Sequence, residues 1–321
     1  MSPPANAALE VWYWSPITDN DQTGLGWIVG GTLFSFVLIS TCARLFLNRR
    51  APASADYLIA TSLVFVIAQS GTLFAALDHG LGKNAPLVTD PEEVFKSFAH
   101  ADPVTQTTFA SDVLTLTAHY LAKASMAVLI HRLFRGVHPN SLYCTGLVGV
   151  VVGAAVVSLL LLLAHSGKVA QSTIHTSVSS LNRSWEAVFA FDCVTEIALA
   201  AVPLFLIVTI LKKSKSNFVV WLVFLSRLPT IAFAILHLTR RISITQTPTN
   251  VGPQLLYCEM TLEAELAWSV VAASIPGLKS IMQPFHLATD VPGRPNGEKK
   301  SHHEYSSAPG SARKWPIFFY S

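Results

Sequence analysis

The chain has 321 residues, 51 % of them hydrophobic and 13 % charged, against about a quarter charged in soluble globular domains. That composition excludes an ordinary water-soluble domain and places the chain in lipid. The net charge of +3 comes from lysines and arginines gathered at particular connections, with no basic stripe interleaved with aromatics, so a nucleic-acid partner is excluded and the charge is a topological signal.

Residues 1–24 carry Glu10, Asp19 and Asp21 but neither lysine nor arginine, and lack the basic start of a signal peptide. They are predicted to be an exposed, uncleaved extracellular leader. A helix rising 1.5 Å per residue needs about 20 residues to cross about 30 Å of hydrocarbon. Seven segments meet that need, at residues 25–47, 57–77, 111–134, 142–164, 187–211, 218–239 and 255–282. A basic connection with Arg44, Arg49 and Arg50 follows the first, and an acidic aqueous loop with Asp78, Asp90, Glu92, Glu93 and Asp102 follows the second. Gly26-x-x-x-Gly30 and Gly149-x-x-x-Gly153 have the spacing of close helix contacts. His165 to Glu186 reads as a polar loop, Pro203, Pro229 and Pro276 as bends, and residues 283–321 as a disordered cytoplasmic tail. The first, third and fifth connections and the tail hold 14 lysines and arginines, and the leader and remaining connections 6. The bundle is therefore predicted to be N-out and C-in, in a plasma membrane.

The third segment organises the rest, because it alone carries a lysine near its middle. Lys123 at a bilayer centre costs about 2.5 to 3.5 kcal/mol, so it must face protein or water. Asp112, His119 and Lys123 share one stripe of that helix. Two readings stand: an intramembrane polar site, or a buried ion pair that fixes helix packing. Glu265 is the expected partner and Glu196 the second choice. Asp192, one turn from Glu196, is expected near the headgroups in water; Glu259 is expected to snorkel or cap; Glu263 is about 160° from Glu265 on the helical wheel and cannot share its site. His119 is expected to be a satisfied interior histidine.

No catalytic residue is assigned: the chain has no H-E-x-x-H, no G-x-S-x-G and no Walker loop. Cys42, Cys144, Cys193 and Cys258 show no C-x-x-C spacing, so no metal site or disulfide framework is expected. The seventh segment has only Lys279 at its inner end, so no retinal or other cofactor is expected. Arg132, Arg135, Lys212, Lys213 and Lys215 form a predicted cytoplasmic basic surface for anionic lipid or a cytosolic signalling partner. Asn182-Arg183-Ser184 is a weak glycosylation sequon, close to the membrane.

Several local patterns, taken in order, resemble the fungal rhodopsin-domain family, seven-helix integral membrane proteins that include pathogenicity-related receptors. They are Asp56-Tyr57-Leu58-Ile59, Gly80-Leu81-Gly82-Lys83, Leu121-Ala122-Lys123-Ala124-Ser125 with Arg132-Leu133-Phe134, Glu196 seven before Pro203, and Glu265 eleven before Pro276-Gly277-Leu278-Lys279. The resemblance spans about residues 25 to 285 and implies an all-α, rhodopsin-like bundle. The resulting expectation is a receptor-like sensor or accessory membrane protein without catalysis, responsive to a small apolar ligand. The alternative is a membrane enzyme or transporter for an apolar secondary metabolite that uses Glu196, Asp192 or Glu265.

Overall fold

The computed structural model describes residues 17–18, 21–50, 52–83, 103–134, 141–169, 174–210, 224–246 and 251–289. These hold seven helices: α1 Thr23–Asn48, α2 Ser54–Asp78, α3 Pro103–Phe134, α4 Ser141–Val169, α5 Ile174–Ile210, α6 Leu228–Gln246 and α7 Val251–Thr289. Among the described residues there is no strand, only isolated bridges that join Asp21 to Thr18 and to Lys83. Five helices are long and apolar enough to span a membrane: α1, α2, and α3, α4 and α5 over Thr107–Phe134, Leu142–Ala164 and Arg183–Leu206.

Several boundaries differ from the sequence reading, most because polar residues continue a helix beyond its apolar stretch; residues 218–223 of the expected sixth span lie outside the described residues. The supposed loop from His165 to Glu186 is helical up to Val169 and again from Ile174, so Asn182 lies within α5 rather than on a loop. Helix α6 starts at Leu228, after a turn at Ser226 and Arg227, and runs on to Gln246. Pro229 explains the start: its missing N–H is harmless only in a first helical turn. Pro203, by contrast, sits inside an unbroken α5. Helix α7 reaches Thr289, into the expected tail. Most of the leader, the acidic loop over 84–102, Arg135, Lys212, Lys213, Lys215 and the tail beyond 289 lie outside the described residues.

The distribution of residues is inverted relative to a protein in water. Ile28, Phe36 and Ile39 on α1, Val150, Val156 and Leu160 on α4, and Val194, Ile197 and Phe205 on α5 are exposed. The three largest fully buried side chains are Arg44, Arg227 and Lys123. Lipid accounts for both facts, since it removes the cost of bare hydrocarbon and forces charge inward. Helix α3 is the post around which the others stand: 61 % of its most apolar stretch is buried, against 22–39 % for the other four spanning helices. It packs on α2, α4 and α5. One apolar cluster joins it to α4 and α5 through Leu116, Ile130, Leu147, Val151 and Leu199. A second joins it to α1, α2 and α7 through Val37, Ile59, Ala118, Leu266 and Val270.

The Gly80-Leu81-Gly82-Lys83 motif turns the chain at the end of α2. Both glycines have positive φ, 103° and 96°, where a Cβ is strained. A Cβ on Gly82 would also meet Leu256 at 2.9 Å and the Thr23 nitrogen at 3.3 Å. The turn is tied to the start of α1 by Gln22 N–H donating to Gly82 O at 3.1 Å and by Lys83 at 3.9 Å from Asp21. Burial tends to raise the Asp21 pKa, but the Thr23 hydroxyl and N–H and nearby Lys83 outweigh it and hold the carboxyl below its ordinary 3.8. Of the two glycine pairs, Gly26 and Gly30 seat Leu77, Leu256, Leu73 and Phe74. Gly149 and Gly153 have nothing among the described residues within 4 Å of a would-be Cβ, so no close helix contact is made there among those residues.

Candidate functional site

Two ionic knots are buried in the bundle. The first forms where α1 ends and α2 begins. Asp56 is in the first turn of α2, where one carboxylate oxygen accepts the Ala53 N–H at 3.0 Å, a favourable use of an acid at a helix N-terminus. Its other oxygen accepts from Arg44 Nε at 2.9 Å and Asn48 at 3.1 Å. Arg44 then donates through Nη1 to Ala273 O at 2.7 Å and through Nη2 to Ser125 Oγ at 3.2 Å, while Ser125 donates to Ala55 O at 2.6 Å. One arginine thereby ties α1, α2, α3 and α7. Expected in a connection, Arg44 lies instead within α1, one turn before its end, on the buried face, and is 1 % exposed.

The second knot lies at mid-bundle, and it corrects the expected pairing. Lys123 Nζ donates to Asp192 Oδ1 at 2.7 Å, Thr195 Oγ1 at 2.8 Å and the Asp192 carbonyl at 3.1 Å, and lies 3.4 Å from Glu196 Oε1. Asp192 is 4 % exposed and is the primary partner rather than a headgroup-level acid. The reason is a match of spacing. His119 and Lys123 are four apart on α3, Asp192 and Glu196 are four apart on α5, and residues four apart lie on one helix face. Two such pairs face each other, and His119 Nε2 lies 2.9 Å from Asp192 Oδ1 and 3.9 Å from Glu196 Oε1.

Glu196 is held chiefly by Arg227. The guanidinium meets the carboxylate in a fork, Nε to Oε2 at 2.8 Å and Nη2 to Oε1 at 2.9 Å, with Nη2 also 3.4 Å from Ser269 Oγ on α7. Arg227 is not among the site residues expected from the sequence. The available signal was an arginine two residues before a proline, which sets it at the break preceding α6.

Glu265, the expected first partner, lies against Asp192 instead, with its carboxyl close to that of Asp192 and Lys123 as a further charge nearby. Ligand atoms of His119, Asp192 and Glu265 all lie within 4.8 Å of one another. All three line a cavity of about 30 Å³, with Asp112, Trp185 and His237 among its other walls, room for about two water molecules. Asp192 Oδ2 and His119 Nε2 are buried with no hydrogen-bond partner, the contact of His119 with Asp192 being close but poorly aligned. His119 is an interior histidine, as expected, with Asp192 as its close neighbour. No spacing motif in the sequence announces this group of donors, because the three side chains come from three separate helices, α3, α5 and α7.

Asp112 is a buried wall of the cavity, 3.9 Å from Arg241 on α6. Arg241 itself lies 4.2 Å from the Trp185 ring centroid. Glu259 is 4 % exposed and interacts with Asp112, Arg241 and Glu263, so it neither snorkels nor caps. Glu263 is hydrogen-bonded with Gln69 on α2, while Glu265 turns toward α5. Of the predicted basic surface, Arg132 is exposed in the last turn of α3.

An all-helical bundle that is apolar outside, ionic within and built around its third helix is a seven-helix membrane protein. The family model described as fungal rhodopsin domain matches residues 40–284, and the chain belongs to that family. No curated protein and no solved structure matches it.

Proposed function

We propose that this protein is a receptor-like sensor of the plasma membrane, N-terminus outside and C-terminus inside, whose switching element is the α3–α5–α6 knot. The observation that carries this reading is the sharing of Glu196. It is forked by Arg227 at a break before α6, yet lies only 3.4 Å from Lys123 on α3. A buried ion pair adds little net stability over apolar residues of the same size, because desolvation offsets its attraction. What a shared carboxylate adds is two discrete arrangements, one favouring α6 and one favouring α3, and a ligand that alters the charge beside Asp192 biases the choice between them.

The inner end of α3 carries Arg132, and Arg135, Lys212, Lys213 and Lys215 add positive charge in the neighbouring connections. This surface suits a cytosolic partner or anionic lipid. The test is to neutralise these five residues in the full chain and measure both surface expression and recruitment of cytosolic protein. Recruitment should be lost with surface expression intact; unchanged recruitment counts against the reading.

A further inference from the structure

With His119 neutral and all three acids ionised, the central knot is short of one positive charge. Lys123 and Arg227 then face Asp192, Glu196 and Glu265, all of them buried, and His119 is 2.9 Å from Asp192, so two cations confront three carboxylates. Uncompensated charge in a low dielectric is costly and calls for a cation or a proton. The shortfall is localised, because Glu196 is forked by Arg227 and Asp192 Oδ1 is taken by Lys123. Asp192, Glu265 and His119 line the cavity with ligand atoms within 4.8 Å of one another, and the second carboxylate oxygen of Asp192, Oδ2, is buried with no hydrogen-bond partner.

We propose that His119, Asp192 and Glu265 bind a divalent metal ion of the zinc class, with the cavity holding its remaining water ligands. Imidazole is the reason for that class: it suits zinc and its neighbours, whereas magnesium, calcium and manganese suit carboxylate, carbonyl and water ligands. One nitrogen and two carboxylate oxygens are a ligand set zinc accepts, with an open position for water. Water on such an ion readily becomes hydroxide, and a divalent ion carrying one hydroxide supplies the single positive charge the knot lacks. Lys123, on the opposite oxygen of Asp192, holds that carboxylate in place. This site goes beyond the receptor reading, since metal binding is measured on the isolated protein whether or not a partner is recruited.

To test it, the full-length protein is purified in detergent with a chelator, incubated with zinc alone and desalted, and its metal content is measured by mass spectrometry. One zinc ion per chain is expected, with affinity lowered by about tenfold or more in Glu265→Gln and in His119→Asn. Cobalt in place of zinc should give the visible ligand-field bands of a low-coordinate site. Zinc retained equally by both variants would mean an adventitious ion only and overturn the proposal. So would a failure of the native protein to retain zinc, or stabilisation by sodium with none by zinc or cobalt, which would assign the missing charge to an alkali ion or a proton. If neither variant gives monodisperse protein, the cobalt spectrum of the native chain decides, and the absence of those bands overturns the proposal.

Discussion

The knot at Arg44 and the knot at Lys123 use the same chemistry to different ends. At Arg44 one cation meets one carboxylate, and Nε, Nη1 and Nη2 of the arginine all have acceptors. At Lys123 two cations meet three carboxylates, an acid is shared between two helices, and Asp192 Oδ2, His119 Nε2 and Arg227 Nη1 have no partner. A satisfied polar network rigidifies a fold; a partly satisfied one beside a cavity leaves room for an occupant or for a change of partner. The difference teaches that burial of charge alone does not mark a functional site in a membrane bundle. The balance of charges and the orphaned atoms do.

The comparison is broken or sharpened by substitution. The largest loss is expected for Asp56→Asn, which leaves Arg44 buried without its counter-charge and should cost about 3–5 kcal/mol of stability, measured by unfolding in detergent. A smaller loss would mean that the Arg44 knot tolerates imbalance and is not the fixed one.

Glu196→Leu should cost a similar or slightly smaller amount, because Lys123 keeps Asp192 while Arg227 is stranded. Adding Arg227→Met should recover most of that loss and leave the double variant within about 1 kcal/mol of the native protein or more stable. A double variant as unstable as the single one would show that Arg227 and Glu196 are not a unit.

Gly82→Ala, remote from both knots, sets the scale for backbone strain at about 1–2 kcal/mol, whereas Gly153→Ala should be neutral or slightly stabilising, since nothing lies within 4 Å of its added methyl and alanine favours helix. Equal losses at the two glycines would restore a helix contact at Gly153.

Glu265→Gln in metal-free protein should show the smallest effect, within about 1 kcal/mol and with stabilisation the favoured sign, because it removes the carboxylate that no cation balances. A loss as large as that of Asp56→Asn would place Glu265 in a true ion pair and erase the distinction between the knots.

Acid adds a separate check at the Gly80–Lys83 turn. Asp21 has a folded-state pKa below its ordinary 3.8, so its contribution is present above that value and lost as pH falls through the lower one. Docking of the turn on the start of α1, followed by amide exchange at Gln22 and Thr23, should weaken only there.

Much of this molecule was written in the order of its residues. Long apolar segments fix helices in lipid, because no other local structure satisfies the backbone there, and a lysine at position 123 must be enclosed by neighbours whatever those neighbours are. The stripe of Asp112, His119 and Lys123 follows from helical periodicity for the same reason. Periodicity gives the face of a helix but not the helix opposite. Whether Lys123 met Glu265 or the acids of α5 depended on how α5 and α7 are rotated about their axes, and packing against α3 decided it. Only the assembled bundle brings His119, Asp192 and Glu265 together, 146 residues apart in sequence from first to last, and only there does the missing positive charge become visible.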